Sequence, residues 1–263
     1  MKQYRLLVVG AHPDDPELIA SGLAMKMIAK GHHARFLSMT DGGAGHQTMT
    51  REALIARRAE EIEKARAIYG VEYHALPIAD GTLTPSLEAR EMLMREIRTY
   101  APDVIVTHRT EDYHPDHRAC GQLVMDCSYL VKVPLYCPDV PVPPQVPVIL
   151  SSYDRFTRPV PFRADIAIDT DDVFERKLEG LMCHVSQFYE WLALANGWQD
   201  VQDAETFEEK TALLHKRMYA RFGAQADAFR HLLSANTKTA ETFQWNEYGA
   251  PMTEKLMGVL KGE

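Results

Sequence analysis

The chain has 263 residues, 46% of them hydrophobic and 25% charged, with a formal net charge of −8. That length suffices for one large domain with its own core, and the composition is that of an ordinary globular protein. The acidic balance argues against nucleic acid or an anionic membrane as the main partner while leaving a local basic pocket open.

No apolar run approaches the length of a membrane span, and no charged-then-apolar leader opens the chain, so a cytoplasmic protein is expected. The cysteines, Cys120, Cys127, Cys137 and Cys183, contain no CxxC pair and are expected to be buried free thiols.

In chain order, Leu6-Leu7-Val8-Val9 predicts a buried strand, and Leu18 to Lys30 predicts a helix from the spacing of Leu18, Ile19, Leu23, Met27 and Ile28. Between them lies Gly10-Ala11-His12-Pro13-Asp14-Asp15-Pro16-Glu17. It falls at the carboxyl end of a first strand, where open α/β sheets place their ligands. His12 and Asp15 suit a divalent metal such as zinc, one through a ring nitrogen and one through a carboxylate oxygen. Asp14 is then free for acid–base work. Read alone, the same residues also suit a plain helix start, with Asp as cap and Pro in the first turn.

Ala34 to Met39 predicts a second strand, followed by a glycine-rich loop, Thr40 to Gln47, in which His46 is placed to touch substrate. His32 and His33 fall at the strand's opposite end and are read as solvated. Arg51 to Tyr69 predicts a charged helix ended by Gly70. Val71 to Leu76 predicts a third strand, leading to Asp80-Gly81, and Leu87 to Tyr100 a third helix stopped by Pro102. Asp103 to Thr107 predicts a fourth strand that delivers His108-Arg109. Then comes a second cluster, His114-Pro115-Asp116-His117, opening a helix over Ala119 to Val131. Alone it reads as a polar turn; two His/Asp clusters at equivalent strand ends point to one shared site.

From Val133 six prolines (134, 138, 141, 143, 144 and 147) predict an irregular arm. Val146 to Leu150 and Ala164 to Ile168 read as strands, separated by a segment with Arg155, Arg158 and Arg163. Asp169 to Trp191 is predicted helical and carries His184-Val185-Ser186-Gln187. From Glu205 the chain reads as mostly helical, with a polar tail containing Trp245.

Strand–helix alternation with short connections predicts an α/β fold: a Rossmann-like, doubly wound, mostly parallel sheet with helices on both faces, in three layers. One domain over 1–263 is expected, with a core over about 4–230 and a helical, polar extension over 231–263. The first strand is followed by HPDD rather than GxGxxG, which disfavours a nicotinamide-binding oxidoreductase.

GAHPDDPEL followed by YHPDHRA resembles the PIG-L/LmbE-like zinc N-deacetylases. Thr40-Asp41-Gly42, Arg58-Ala59-Glu60-Glu61, Asp80-Gly81, His184-Val185-Ser186-Gln187 and Ala226-Asp227-Ala228-Phe229 follow in the family's order, over roughly residues 4 to 230. The resemblance implies hydrolysis of an N-acetyl group on a small sugar or sugar conjugate. It also implies a metal held by His12, Asp15 and His117, with Asp14 as general base and protonated His114 assisting the carbonyl oxygen. Arg58 would face substrate. It implies Zn2+ or another divalent ion, and a homo-oligomer (trimer or hexamer).

Asp80 and His46 are expected on the substrate rim, and Asp116 either orients an imidazole or makes a structural turn contact. The sequence departs from the family at Asp227, where a glutamate is usual, and at Asp112, where some members carry tyrosine. A lyase or hydratase on the same metal site, and a non-catalytic sugar-binding protein, are the competing readings.

Overall fold

In the computed structural model, which describes residues 2–262, the first half of the chain alternates strand and helix as its periodicity requires. The strands are β1 (Arg5–Gly10), β2 (His33–Thr40), β3 (Glu72–Ile78), β4 (Val104–Thr107) and β5 (Val148–Ser152), and they run parallel. Between them run α1 (Asp15–Ala29), α2 (Arg51–Tyr69), α3 (Leu87–Tyr100) and α4 (Pro115–Leu130).

Adjacent residues of each strand point to opposite faces, and over β1, β2, β4 and β5 both faces are largely dry, whereas the edge strand β3 is partly exposed. Leu6, Val8, Phe36, Val104 and Val106 pack with Leu23 and Met27 of α1 and Ile62 and Tyr69 of α2. Leu7, Val9, Leu37 and Ile105 pack with Leu93 and Met94 of α3 and Leu123 and Val124 of α4. The result is the expected three-layer α/β arrangement.

The sheet is completed by β6 (Ile166–Asp169) and β7 (Ala240–Asn246), giving the order β3-β2-β1-β4-β5-β7-β6. β7 lies antiparallel to both its neighbours. Between β6 and β7 come α5 (Phe174–Leu181), a π-helical turn at Ser186–Trp191, α6 (Leu192–Ala195), α7 (Gln199–Asp203) and α8 (Phe207–Ala228). After β7 comes α9 (Glu254–Lys261), which packs against β6 and α1 and buries Leu256 and Leu260 in the same core.

The tail is therefore not simply helical and polar. Residues 240–246 are an inner strand, hidden from periodicity because Glu241 and Thr242 are buried along with Ala240 and Phe243.

Glu241 is buried for a structural reason. Ala20, inside α1, has non-helical backbone angles (φ −152°, ψ 22°), a kink that interrupts the helical ladder. The Gly22 and Leu23 N–H groups donate to the Glu241 carboxylate at 2.7 and 2.8 Å. Lys177 of α5 neutralises it at 2.6 Å.

Order reverses between β1 and β4: β2 and β3 lie to one side of β1, while β4 and β5 lie to the other. A crevice opens at such a point beyond the strands' carboxyl ends. The loops after β1 and β4 carry the two His/Asp clusters to its two sides.

Candidate metal centre and active site

A tight turn places the first cluster. A Cβ on Gly10 would lie 2.5 Å from the Asp15 Cβ, so only glycine lets β1 fold directly into α1. Asp14 caps α1 with φ at 108°, an unusual conformation for a residue other than glycine. Its N–H meets the Tyr73 hydroxyl at 3.3 Å. The same hydroxyl bonds Glu17, which pairs at 2.7 Å with fully buried His184. The second cluster starts α4, with His114 as its cap: the His114 Nδ1 accepts the Asp116 N–H.

The two clusters meet at Asp15. Its Oδ2 lies 3.3 Å from His12 Nδ1, 3.5 Å from His117 Nε2 and 3.3 Å from His108 Nε2. Each of the first two rings also has a carboxylate behind it. His12 Nε2 lies 3.2 Å from both Asp80 Oδ1 and Asp116 Oδ2, and His117 Nδ1 lies 3.2 Å from Asp112 Oδ2. His114 joins them edge-on to His12, with ring centres 4.7 Å apart.

Among the described residues, the groups close enough to share an ion are His12 with His114 and His117, Asp15 with His108 and His117, and His12 with Asp80 and Asp116. The sequence-predicted trio of His12, Asp15 and His117 is thus brought together but divided between overlapping sets.

Charge in this cluster calls for a cation. Burial alone would depress His12, but the Asp116, Asp15 and Asp80 carboxylates push it up to about 12. Burial would raise Asp15, yet His117 and His108 hold it well below the usual carboxylate range. Among the described residues, Asp116 Oδ1 is buried without a partner. Imidazole and carboxylate donors converging on one point suit zinc and related divalent ions. The residues present fit such an ion.

Asp14 is buried and set apart from this pairing, with Arg58 Nη2 at 3.4 Å from its Oδ1. Burial pushes its carboxyl up to about 6, against the pull of Arg58. Arg58 itself is 2% exposed and donates to the carbonyls of Gly42 and Pro13. It sits beneath Asp14, tying the turn to the glycine loop. His46 is engaged at both nitrogens: Nε2 meets Glu190 at 2.7 Å, and Nδ1 accepts the Thr48 and Met49 N–H groups. Asp80 accepts the Ala44 N–H and faces His12.

Sequence reasoning passed over His108, Asp112 and Glu17. His108 stands directly after β4, the position that singled out His12 after β1, so its place was available as a signal. However, its Nε2 lies between two protein groups, 3.2 Å from the Ala11 nitrogen and 3.3 Å from Asp15 Oδ2. The motif His184-Val185-Ser186-Gln187 works as a brace. Ser186 bonds Glu61 of α2 through its N–H and hydroxyl, and Gln187 donates to the Gly45 carbonyl.

Fold and cluster define an α/β protein that gathers imidazoles and carboxylates around one point at its sheet's reversal. Residues 7–128 match the family model described as GlcNAc-PI de-N-acetylase, PIG-L. The chain is 27% identical over 192 residues to the diacetylchitobiose deacetylase of Thermococcus kodakarensis, spanning 71% of each chain.

Among solved structures, the N,N'-diacetylchitobiose deacetylase of Pyrococcus horikoshii superposes with a TM-score of 0.72 at 21% identity, covering 93% of this chain and 84% of that one. A 4-carboxy-2-hydroxymuconate hydratase from Pseudomonas putida superposes with a TM-score of 0.73 at 20% identity, covering 96% and 99%. These structural likenesses establish the fold.

Proposed function

We propose that this protein is a metal-dependent hydrolase that removes an N-acetyl group from a small polar substrate, an N-acetylated sugar or sugar conjugate. One observation carries the reading. His12 and His117 each turn one nitrogen toward Asp15 and the other toward a second carboxylate, beside a buried Asp14 that the cluster leaves unengaged. An acid behind an imidazole fixes its tautomer and presents the opposite lone pair. Asp80 and Asp116 do this for His12, and Asp112 does it for His117.

His12 through Nδ1, Asp15, and His117 through Nε2 would hold the ion, zinc in our reading. When bound, such an ion supplies Lewis acidity, making water acidic enough to attack near neutral pH and polarising the amide carbonyl. Asp14 takes the proton from the attacking water and returns one to the departing amine. Its raised pKa suits both tasks, and Arg58 steadies its carboxylate form. His114, whose Nδ1 is occupied by the Asp116 N–H, keeps Nε2–H as a donor for the oxygen that gains charge. A neutral imidazole is enough for this, since burial and the neighbouring His117 and His12 hold the His114 pKa down.

The family match and the deacetylase relative support amide hydrolysis. The likeness to hydratases keeps a lyase or hydratase reaction on a non-amide substrate as the competing chemistry. Acetate release from a panel of N-acetyl sugars, by zinc-loaded and by chelator-treated protein, separates them. Metal-dependent acetate release is expected, and its absence across the panel removes the deacetylase reading.

Our reading also includes a cytoplasmic homo-oligomer, a trimer or hexamer. Among the described residues no helix is long and apolar enough to cross a membrane.

A further inference from the structure

The segment between β5 and β6 has no part in the chemistry above, yet it reaches the metal-binding cluster through one aromatic contact. Phe156 places its ring 5.7 Å from that of Tyr113, which is 71% exposed. Tyr113 in turn stands edge-on to His114 and His117, with ring centres 5.9 and 6.0 Å away. Two aromatic rings, one from each loop, therefore stand together beside His114 and His117.

No regular structure holds that segment. Residues 154–164 lie in neither helix nor strand, and Arg155 and 157–161 are exposed. The chain is pinned to β7 on either side, by the Tyr153 N–H to the Thr242 carbonyl and the Asp165 N–H to the Phe243 carbonyl. Between these pins, among the described residues, every hydrogen bond to the rest of the protein comes from one side chain, Arg109. Its Nη1 donates to both Asp154 oxygens at 3.1 Å, and its Nη2 donates to the Val160 carbonyl at 2.8 Å. Asp154 passes the hold on, its Oδ1 accepting the Phe156 N–H at 2.8 Å. Phe162 secures the later end by packing on Tyr153 and Phe229, with ring centres 5.3 and 5.6 Å apart.

Arg109 is itself fixed in place. It is 6% exposed, and its backbone lies directly on α4 at Gly121. A Cβ on that glycine would sit 2.8 Å from the His108 carbonyl oxygen and 3.1 Å from that of Arg109. A planar guanidinium serves a carboxylate and a carbonyl at once, whereas an ammonium acts as a point charge. The side chain thus joins the loop that carries Asp112, Tyr113 and His114 to the segment facing it.

We propose that Arg109 is a positioning residue. It tethers residues 154–164 so that Phe156 stands against Tyr113, and this aromatic pair is a wall against which substrate packs beside the metal-binding cluster. The substrate contact rests on the hydrolase reading of the site; the tether does not.

Hydrogen exchange followed by mass spectrometry tests the tether with no substrate present. In Arg109→Gln the amides of 154–164 are expected to exchange at least about tenfold faster than in the wild type, with β1 and β4 unchanged. Arg109→Lys should fall between the two, since it keeps the charge and loses the fork. Asp154→Asn weakens the same tether from the segment's side and should shift exchange in the same direction; it decides the question if Arg109→Gln does not fold. Wild-type exchange over 154–164 in these variants overturns the proposal.

Kinetics of the zinc-loaded enzyme test the wall, on whichever N-acetyl sugar it turns over fastest. Arg109→Gln and Phe156→Ala should each raise KM roughly 3–10-fold with kcat within about twofold, the signature of a contact made equally in ground and transition states. The double variant should be no worse than the worse single, because both substitutions remove one wall. Additive losses, or a fall in kcat at unchanged KM, overturn the positioning role. If no sugar is turned over, the deacetylase reading falls, and the exchange rates alone decide whether Arg109 holds the segment.

Discussion

Replacing Lys177 with methionine tests how the fold aims the site. The Lys177 ammonium and Glu241 carboxylate are 0% and 1% exposed, 2.6 Å apart, and the carboxylate also receives the Gly22 and Leu23 N–H groups at the kink of α1. Methionine matches the aliphatic stem and removes the ammonium, which also donates to the Leu18 carbonyl at 3.0 Å, leaving a buried anion with two amide donors and no cation. Breaking one side of such a pair typically destabilises a protein by roughly 3–5 kcal/mol. For a chain of this size each kcal/mol shifts the melting temperature by roughly 2–4 °C, so a fall of roughly 6–20 °C is expected.

Urea unfolding followed by tryptophan fluorescence and by circular dichroism gives the stability directly. Adding Glu241→Gln to Lys177→Met removes the uncompensated charge and should recover part of the loss. A single-variant loss below about 1 kcal/mol, or a double variant no better than the single, would refute the argument that this pair carries a buried charge at the kink.

The remaining predictions concern chemistry. Asp14→Asn should retain bound metal by elemental analysis while turnover falls by about 10²–10⁴, the range expected when a general base is lost. His117→Ala should lower metal content, and full occupancy would exclude it as an essential ligand. Asp112→Asn and Asp116→Asn, acting behind the His117 and His12 rings, should each weaken metal affinity by about 10–100-fold in a competition titration. Arg58→Ala should lower kcat as well as raise KM, because Arg58 lies against Asp14 rather than in open solvent; a pure KM effect would return it to substrate contact.

The central sheet and the two clusters were legible because their signals are local. Apolar runs such as Leu6 to Val9 mark buried strands, and helix stops such as Gly70 sit where the backbone turns left-handed (φ 73°). What could not be read was pairing between distant residues. Glu241 in a strand looks polar until Lys177 and the kinked α1 surround it, so β7 was read as tail.

His46 looks like a free loop imidazole until Glu190, 144 residues away in sequence, takes one nitrogen. Arg58 lies in a charged helix and gives no local sign of being buried; only the resemblance separated it from Arg57, which reaches Glu190 at the surface. Asp112 was set aside because its position departs from a family pattern, although a carboxylate there backs the His117 ring directly.

The most direct measurement of the central claim is anomalous diffraction at the zinc edge from crystals of the zinc-loaded protein. The expected result is one strong peak bounded by His12 Nδ1, a carboxylate oxygen of Asp15 and His117 Nε2, with Asp14 outside the coordination sphere. A peak between Asp80, Asp116 and the far nitrogen of His12, or no peak near Asp15, would contradict it.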